Sequence, residues 1–257
     1  MKTNEFIKAL LNAGDQTFLP SLSIDCAIFG FHENQLKILL VKHRYMDIWA
    51  LPGGFIHKHE PIDEAANRVL KERTGLHDVF LQQFYTFGDP DRSRKEFHIK
   101  DLEQDGIEVH DELWILQRFI TIGYYALVEF SKVNLEQNQI AETCSWWDIH
   151  SIPSLIFDHR KIVDKAFETL RTQLNYHPIG YNLLPETFTM SELQKLYETI
   201  LDKKLDRRNF HRKIMSFQIL QRLTETKKGT PHKSPFLYSF NLEKYNAALT
   251  EGLNTSW

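Results

Sequence analysis

The sequence predicts an α/β domain followed by a small winged helix-turn-helix module. Three observations carry this expectation. Apolar, strand-like runs alternate with two substantial amphipathic helices as far as Leu174. His177-Pro178-Ile179-Gly180 then interrupts the pattern with two helix breakers. Beyond it the order is helix, turn, basic helix and basic hairpin, which is that of a winged helix-turn-helix. The expected division is residues 1–177 and residues 178–257.

In chain order, Thr3–Ala13 reads as a short amphipathic helix. Ser21–Phe31 and Leu36–Lys42 read as a hairpin turning at His32-Glu33-Asn34. Trp49–Leu51 is a short strand ending in Pro52-Gly53-Gly54. A helix then carries Ala65, Ala66, Val69 and Leu70 on its apolar side and stops at Gly75, with Pro61, Asp63 and Glu64 suited to its first turn. Val79–Phe87 is a strand and Gly88–Arg92 a loop. Ser93–Glu112 reads as a surface excursion, a hairpin bending at Gln104-Asp105-Gly106. Ile115–Phe130 and Thr143–Asp148 are further strands. A helix from Asp158-His159 places Ile162, Val163, Ala166, Phe167 and Leu170 on one face.

In the second module Thr189 or Ser191 can cap a helix holding Leu193, Leu196, Tyr197 and Ile200. Asp206 can cap a second, DRRNFHRKIMSFQIL, with Phe210, Ile214 and Phe217 inward. The basic run Thr224–Pro235 precedes a strand, Phe236–Phe240.

Composition narrows the function classes. With 42% hydrophobic residues and 18 Phe the chain can build a real core, which argues against global disorder. Cys26 and Cys144 lie in apolar runs and read as free thiols, as expected of a cytoplasmic protein. No signal-peptide pattern and no apolar run of membrane-spanning length is seen. Net charge is −3, but Ile200–Pro235 carries ten Lys/Arg against three acids, about +7 in a chain otherwise near −10. A basic helical module on an acidic body points to a polyanion partner for the module alone.

Leu51–Leu76 has the spacing of a Nudix box. Gly54 is followed after five residues by Glu60, and Arg68, Leu70, Glu72, Gly75 and Leu76 stand in register. Two positions depart from the motif: Val69 and Arg73 stand where the family has glutamates. The resemblance implies a Nudix-like α/β/α sandwich whose box glutamates hold a divalent metal against a diphosphate. Magnesium needs a dense oxygen shell, and Glu72 alone does not supply one. Arg68 and Glu72 at i, i+4 read as a structural pair. No catalytic residue, metal ligand or cofactor is therefore expected. The cleft shaped by the Pro-Gly-Gly loop offers Arg44, Trp49, Phe55, Glu60, Glu72, Arg73 and Arg118 as effector-binding candidates, because aromatic faces suit sugar rings or bases and cations suit phosphates. Taken singly, Trp49 and Phe55 are more often core residues.

Across nearly its whole length, except Ser93–Glu112, the chain resembles the Nudix-related transcriptional regulators, which join a ligand-sensing Nudix-like domain to a winged helix. SLIFDH (Ser154–His159), PIGYNLLP (Pro178–Pro185) and DRRNF (Asp206–Phe210) resemble most the Bacteroidetes sugar-responsive, arabinose regulator-like subgroup. That resemblance implies a homodimeric repressor of sugar-utilisation genes with a small pentose-like effector. The alternatives are an ADP-ribose-sensing regulator, or a Nudix hydrolase of ADP-ribose or another nucleoside diphosphate derivative. The DNA-binding candidates are Arg207, Arg208, Asn209, Arg212 and Lys213 on the basic helix, and Lys227, Lys228, His232 and Lys233 in the wing. Asn209 and Arg212 suit base edges, while the flanking cations suit phosphates of double-stranded operator DNA.

Overall fold

The computed structural model describes residues 11, 14, 16–42, 47–76, 79, 81–92, 95–133, 143–174, 176–227 and 234–252. The helix expected at Thr3–Ala13, the effector candidate Arg44, and the wing candidates Lys228, His232 and Lys233 lie outside these residues, apart from Leu11.

A mixed sheet is built on β1 (Phe18–His32). Parallel β6 (Ile120–Val128) pairs along one edge from Leu22↔Ile120 to Gly30↔Val128. The other edge is shared: the first part of β1 takes β4 (Gly53–His57), and its end takes β2 (Gln35–Lys42). β3 (Trp49–Ala50) and β7 (Cys144–Asp148) extend β2, and β5 (Leu81–Phe87) closes the far side on β6. The hairpin turn falls at Glu33 and Asn34, both with positive φ, a conformation Asn tolerates well.

Alternation along the strands sorts two layers. Ile24, Cys26, Ile28, Leu39, Tyr124 and Ala126 face the box helix α1 (Ile62–Thr74), burying Ala65, Ala66 and Leu70. Ala27, Phe29, Leu36, Ile38, Leu40 and Tyr125 face the opposite way, onto α3 (His159–Gln173). Helices on both faces make the α/β/α sandwich the sequence implies. Tyr124 and Tyr125 consequently point to opposite layers, where the hydroxyl of Tyr124 donates to Asp63 at 2.6 Å and that of Tyr125 to Gln82 at 2.5 Å.

The expected hairpin between Ser93 and Glu112 is instead a helix, α2 (Lys95–Gln104). Gly106, with φ of 66°, ends the turn behind it, so the residues read as a hairpin bend serve as a helix stop. α2 buries Leu102 against Leu116 and Leu11. The long run from Ile115 begins with a 3₁₀ turn at Trp114–Leu116, and only from Ile120 does it pair as strand.

The C-terminal module places β8 (Phe188–Thr189), β9 (Leu220–Thr226) and β10 (Phe236–Phe240) in the order β8-β10-β9 beside α4 (Met190–Leu201) and α5 (Arg207–Ser216). Thr189 caps α4 in a reciprocal capping box with Glu192, and Asp206 caps α5 by accepting from the amide of Asn209 at 2.9 Å. α5 stops four residues earlier than its pattern suggests, and after Gln218 (φ of 57°) the chain turns into β9. A last helix, α6 (Leu242–Glu251), follows β10; the hydroxyl of its Tyr245 donates to the carbonyl of Pro178 at 2.8 Å.

The apolar core of this module is continuous with the α3 layer, running from Leu36 and Ile38 through Ile162, Ala166 and Leu170 to Leu193, Leu196, Phe210 and Ile214. Arg171 of α3 donates to the carbonyl of Ile200 at 2.8 Å, and Thr199 of α4 to that of Asn34 at 3.2 Å. Among the described residues no helix is long and apolar enough to cross a membrane.

Candidate effector site and nucleic-acid interface

The box is built around Arg68. Its guanidinium grips Glu60 with two bonds, Nη2 to Oε1 at 2.6 Å and Nε to Oε2 at 3.0 Å. It also donates to Glu72 at 2.9 Å and to the carbonyl of Phe55 at 2.7 Å. The amide of His57 donates to Glu60 at 2.6 Å, so the loop, β4 and α1 are tied to one fork. Arg68 beside Glu60 holds its carboxyl below the usual carboxylate range, against the opposing effect of burial. The bond between Arg68 and Glu72 is the i, i+4 pair the sequence suggests.

The two departures from the motif have visible consequences. Val69 is buried and lies under Gly54, where a Cβ would come within 2.9 Å of its Cγ2. An apolar plug therefore stands where a carboxylate would be. Arg73, one turn further, is half-buried and donates from Nε to the carbonyl of Gly53 at 2.9 Å. Both glycines are required by close approach: a Cβ on Gly53 would meet Asp25 Oδ1 at 2.4 Å. A divalent cation does not fit this donor set. Glu60 and Glu72 are engaged by Arg68, and among the described residues no group of three or more His, Cys, Asp or Glu side chains could hold a metal.

Glu60, Glu72 and Arg73 are thus brought together on the α1 side. Of the other candidates among the described residues, Trp49, Phe55 and Arg118 lie elsewhere. Trp49 packs edge-on to Trp147, 5.3 Å between rings, in the core of the α3 layer. Phe55 sits among Phe18, Trp114 and Phe119 at 4.8 to 5.6 Å. Arg118 is exposed and donates to the carbonyl of Gly88 at 2.6 Å.

A buried charged group escaped the sequence reading. Arg92 donates to both carboxylate oxygens of Asp158, at 3.1 and 3.0 Å, and reaches Asp25 at 3.4 Å. His159 lies 3.6 Å from Asp25 on its Nε2 side, while its Nδ1 accepts from the amide of Leu51 at 2.9 Å. Burial lowers the pKa of His159 despite the pull of Asp25 and Asp158, so it is held neutral. The only sequence signal was the Asp158-His159 pair of SLIFDH, with Arg92 lying 66 residues before Asp158.

At the other end of the molecule, Arg207, Arg208, Asn209, His211 and Arg212 are exposed on α5 while Phe210 and Ile214 are buried. Arg212 donates to the side-chain oxygen of Asn209 at 3.0 Å, which joins the two base-edge candidates to each other. Lys213 is half-buried and its pKa is lowered, by burial first and by Lys203 second. Lys227 pairs with Glu192 at 2.6 Å, linking the wing to the first turn of α4. Between these elements lies a groove of about 530 Å³ lined by Ser191, Arg207, Arg208, His211, Phe236 and Tyr238, among others. Arg222 stacks on Phe236 at its rim, 3.6 Å from the ring centroid.

A sandwich carrying a degenerate Nudix box, continuous with a basic winged helix, defines a Nudix regulator scaffold. A Nudix domain profile matches residues 20–168, and a profile of the NrtR DNA-binding winged helix domain matches residues 180–240. The chain belongs to the NrtR-like family of Nudix and winged-helix transcriptional regulators. The ADPR responsive transcriptional repressor NtrR of Acinetobacter baylyi is similar at 28% identity over 234 residues, covering 88% of this chain and 84% of its own length. An ADP-ribose pyrophosphatase of Methanocaldococcus jannaschii is 26% identical over 147 residues, 56% of this chain and 71% of that protein. In fold, the chain resembles the crystal structure of Shewanella oneidensis NrtR complexed with a 27mer DNA, with a TM-score of 0.70 at 24% identity over 92% of this chain and 99% of that one.

These relatives overturn the expected small-sugar effector and the sugar-utilisation role, since the names of both sequence relatives concern ADP-ribose. The sugar-responsive subgroup is likewise unsupported. The physical reason is visible in the phrases that suggested it. In SLIFDH, Asp158 holds Arg92 and His159 holds Leu51. In PIGYNLLP, Ile179, Leu183 and Leu184 are core, and in DRRNF, Asp206 is a cap and Phe210 is buried. These residues report the scaffold and carry no information about a ligand.

Proposed function

We propose that this chain is a transcriptional regulator whose grip on operator DNA is weakened by ADP-ribose, or by a closely related nucleoside diphosphate, bound in the Nudix-like domain. The observation that carries the reading is the Acinetobacter baylyi repressor, whose matched 234 residues span both modules. The continuous core between α3 and α4 supports it, because a ligand that repacks one module then acts on the other. We place the module boundary at residues 177 and 178. Arg207, Arg208, Asn209, Arg212 and Lys213 meet the DNA, with Lys227, Lys228, His232 and Lys233 on the wing. A homodimer presents two such helices to a palindromic site. Glu60, Glu72 and Arg73 border the effector cleft. Turnover is not part of the proposal, because the box has no carboxylate cluster to hold a metal.

Fluorescence anisotropy with labelled DNA from the chain's own upstream region tests this. ADP-ribose is expected to weaken specific binding by about 5- to 150-fold, the usual range of coupling between sites, and arabinose to leave it unchanged. Absence of a specific complex, or indifference of that complex to ADP-ribose, would overturn the reading.

A further inference from the structure

We propose that Arg222, held against the ring of Phe236 on the β9–β10 hairpin, binds a backbone phosphate of the DNA that enters the groove beside α5. This inference rests on the reading of the C-terminal module as a DNA-binding head. It adds a contact that lies outside both the basic helix and the basic run Thr224–Pro235.

The position follows from strand register. Tyr238 pairs with Arg222 and Phe236 with Thr226, so Arg222, Phe236 and Tyr238 project from one face of the hairpin. Phe236 and Tyr238 line the groove of about 530 Å³, together with Arg207, Arg208 and His211 of α5, and no lining residue is acidic. Phe236 is 38% exposed, so its ring is not a core residue. The guanidinium of Arg222 lies 3.6 Å from the centroid of that ring. Among the described residues no carboxylate pairs with Arg222. Lys227, the other described cation of the hairpin, is already taken by Glu192 at 2.6 Å.

The stack prepares Arg222 for an anion. The ring covers one face of the guanidinium, while its N–H donors lie in the plane and remain free at the edge. That planar fork matches two oxygens of one phosphate. Stacking also restricts the side chain before DNA arrives, so less freedom is lost on binding than by a cation that moves freely in water. A groove bordered by arginines on the helix and on the hairpin, with no acid in its lining, suits a ligand that repeats its negative charge, as a DNA backbone does.

Salt titrations of binding to the upstream DNA, on the full chain, test this. Arg222→Gln is expected to weaken binding about tenfold, as loss of a hydrogen-bonded charge does, and to do so at every sequence. It should also lower the slope of log affinity against log salt by about 1. Arg222→Lys keeps the charge and loses the stacked fork, and Phe236→Leu removes the platform beneath the fork. Both are expected to keep the parental slope and to fall between Arg222→Gln and the parent in affinity. A parental slope for Arg222→Gln would overturn the phosphate contact and leave the DNA-binding reading standing. So would a loss confined to one position of the site, which would make Arg222 a reader of base edges. A lowered melting temperature of Arg222→Gln with parental DNA affinity would reduce the stack to a cover for Phe236 and overturn the proposal. No specific complex of the unchanged protein with this DNA would overturn the DNA-binding reading itself, and this proposal with it.

Discussion

Two arginine-bearing helices of the chain, the box helix α1 and the basic helix α5, use charge in opposite ways. On α1, Arg68 is ringed by Glu60, Glu72 and a backbone carbonyl, and Arg73 is anchored on Gly53. On α5, Arg207, Arg208 and His211 have no ion-pair partner among the described residues, and they border an open groove. Arginine inside a fork locks local geometry; arginine facing water waits for an external anion. The contrast distinguishes scaffold from interface better than the number of charges in either helix.

It is most exposed to test at the buried group behind the box. Arg92 compensates two carboxylates that are both nearly inaccessible. Arg92→Met keeps most of the volume and leaves Asp25 and Asp158 without their partner. We expect a loss of about 3–5 kcal/mol in stability, the cost of an uncompensated buried charge. Urea unfolding measures it. A loss below about 1 kcal/mol, the level of an exposed pair, would mean that this cluster is no more structural than a surface bridge.

The fork on α1 comes next. Glu60→Gln removes the charge that Arg68 holds most closely, and we expect a loss of about 1–3 kcal/mol, typical of a hydrogen bond to a charged group. The sign of its pH dependence follows from the lowered pKa of Glu60. A carboxyl whose folded pKa is depressed contributes its stabilisation in full above the ordinary carboxylate range and loses it as pH falls through the folded value. The gap between parent and variant should thus be widest near neutrality and close in strong acid. Melting both proteins across that range gives the answer, and a gap that does not narrow would assign the effect to packing.

These contacts also show where a single sequence is informative. The bond between Arg68 and Glu72 was legible because four residues on a helix are one turn, and the faces of α1, α3, α4 and α5 because apolar positions recur with the helical period. The box spacing marks Glu60 and Arg68 but not the bond they make across the loop before the helix, and Arg92 and Asp158 lie 66 residues apart, a separation that no motif or period encodes. α2 was read as a hairpin because KEFHIKDLEQ buries only Leu102 and so lacks a clear apolar stripe. β9 was hidden for a similar reason: of LQRLTET only Leu220 is buried, and α5 ends nearby without glycine or proline, at Gln218 in a left-handed conformation. SLIFDH and PIGYNLLP mislead about the effector because their residues are fixed by the scaffold and do not mark a ligand class.

The smallest expected change in stability is at α5, where the same residue type is expected to matter for binding instead. Arg208 is exposed, and beyond the groove it borders nothing in the described fold engages its charge. Arg208→Ala should leave the unfolding free energy within about 0.5 kcal/mol of the parent, as is usual for surface positions without a partner. If it holds a phosphate, the variant should bind the upstream DNA more weakly at every sequence tested, with the slope of log affinity against log salt reduced by about 1. If it reads a base, the loss should fall on one position of the site and the slope should change less. Destabilisation comparable to that of Glu60→Gln, with DNA affinity intact, would place Arg208 in the scaffold and remove the distinction between the two helices. The pair of measurements therefore tests the division of labour directly: α1 arginines should appear in melting curves, and α5 arginines in salt titrations with DNA.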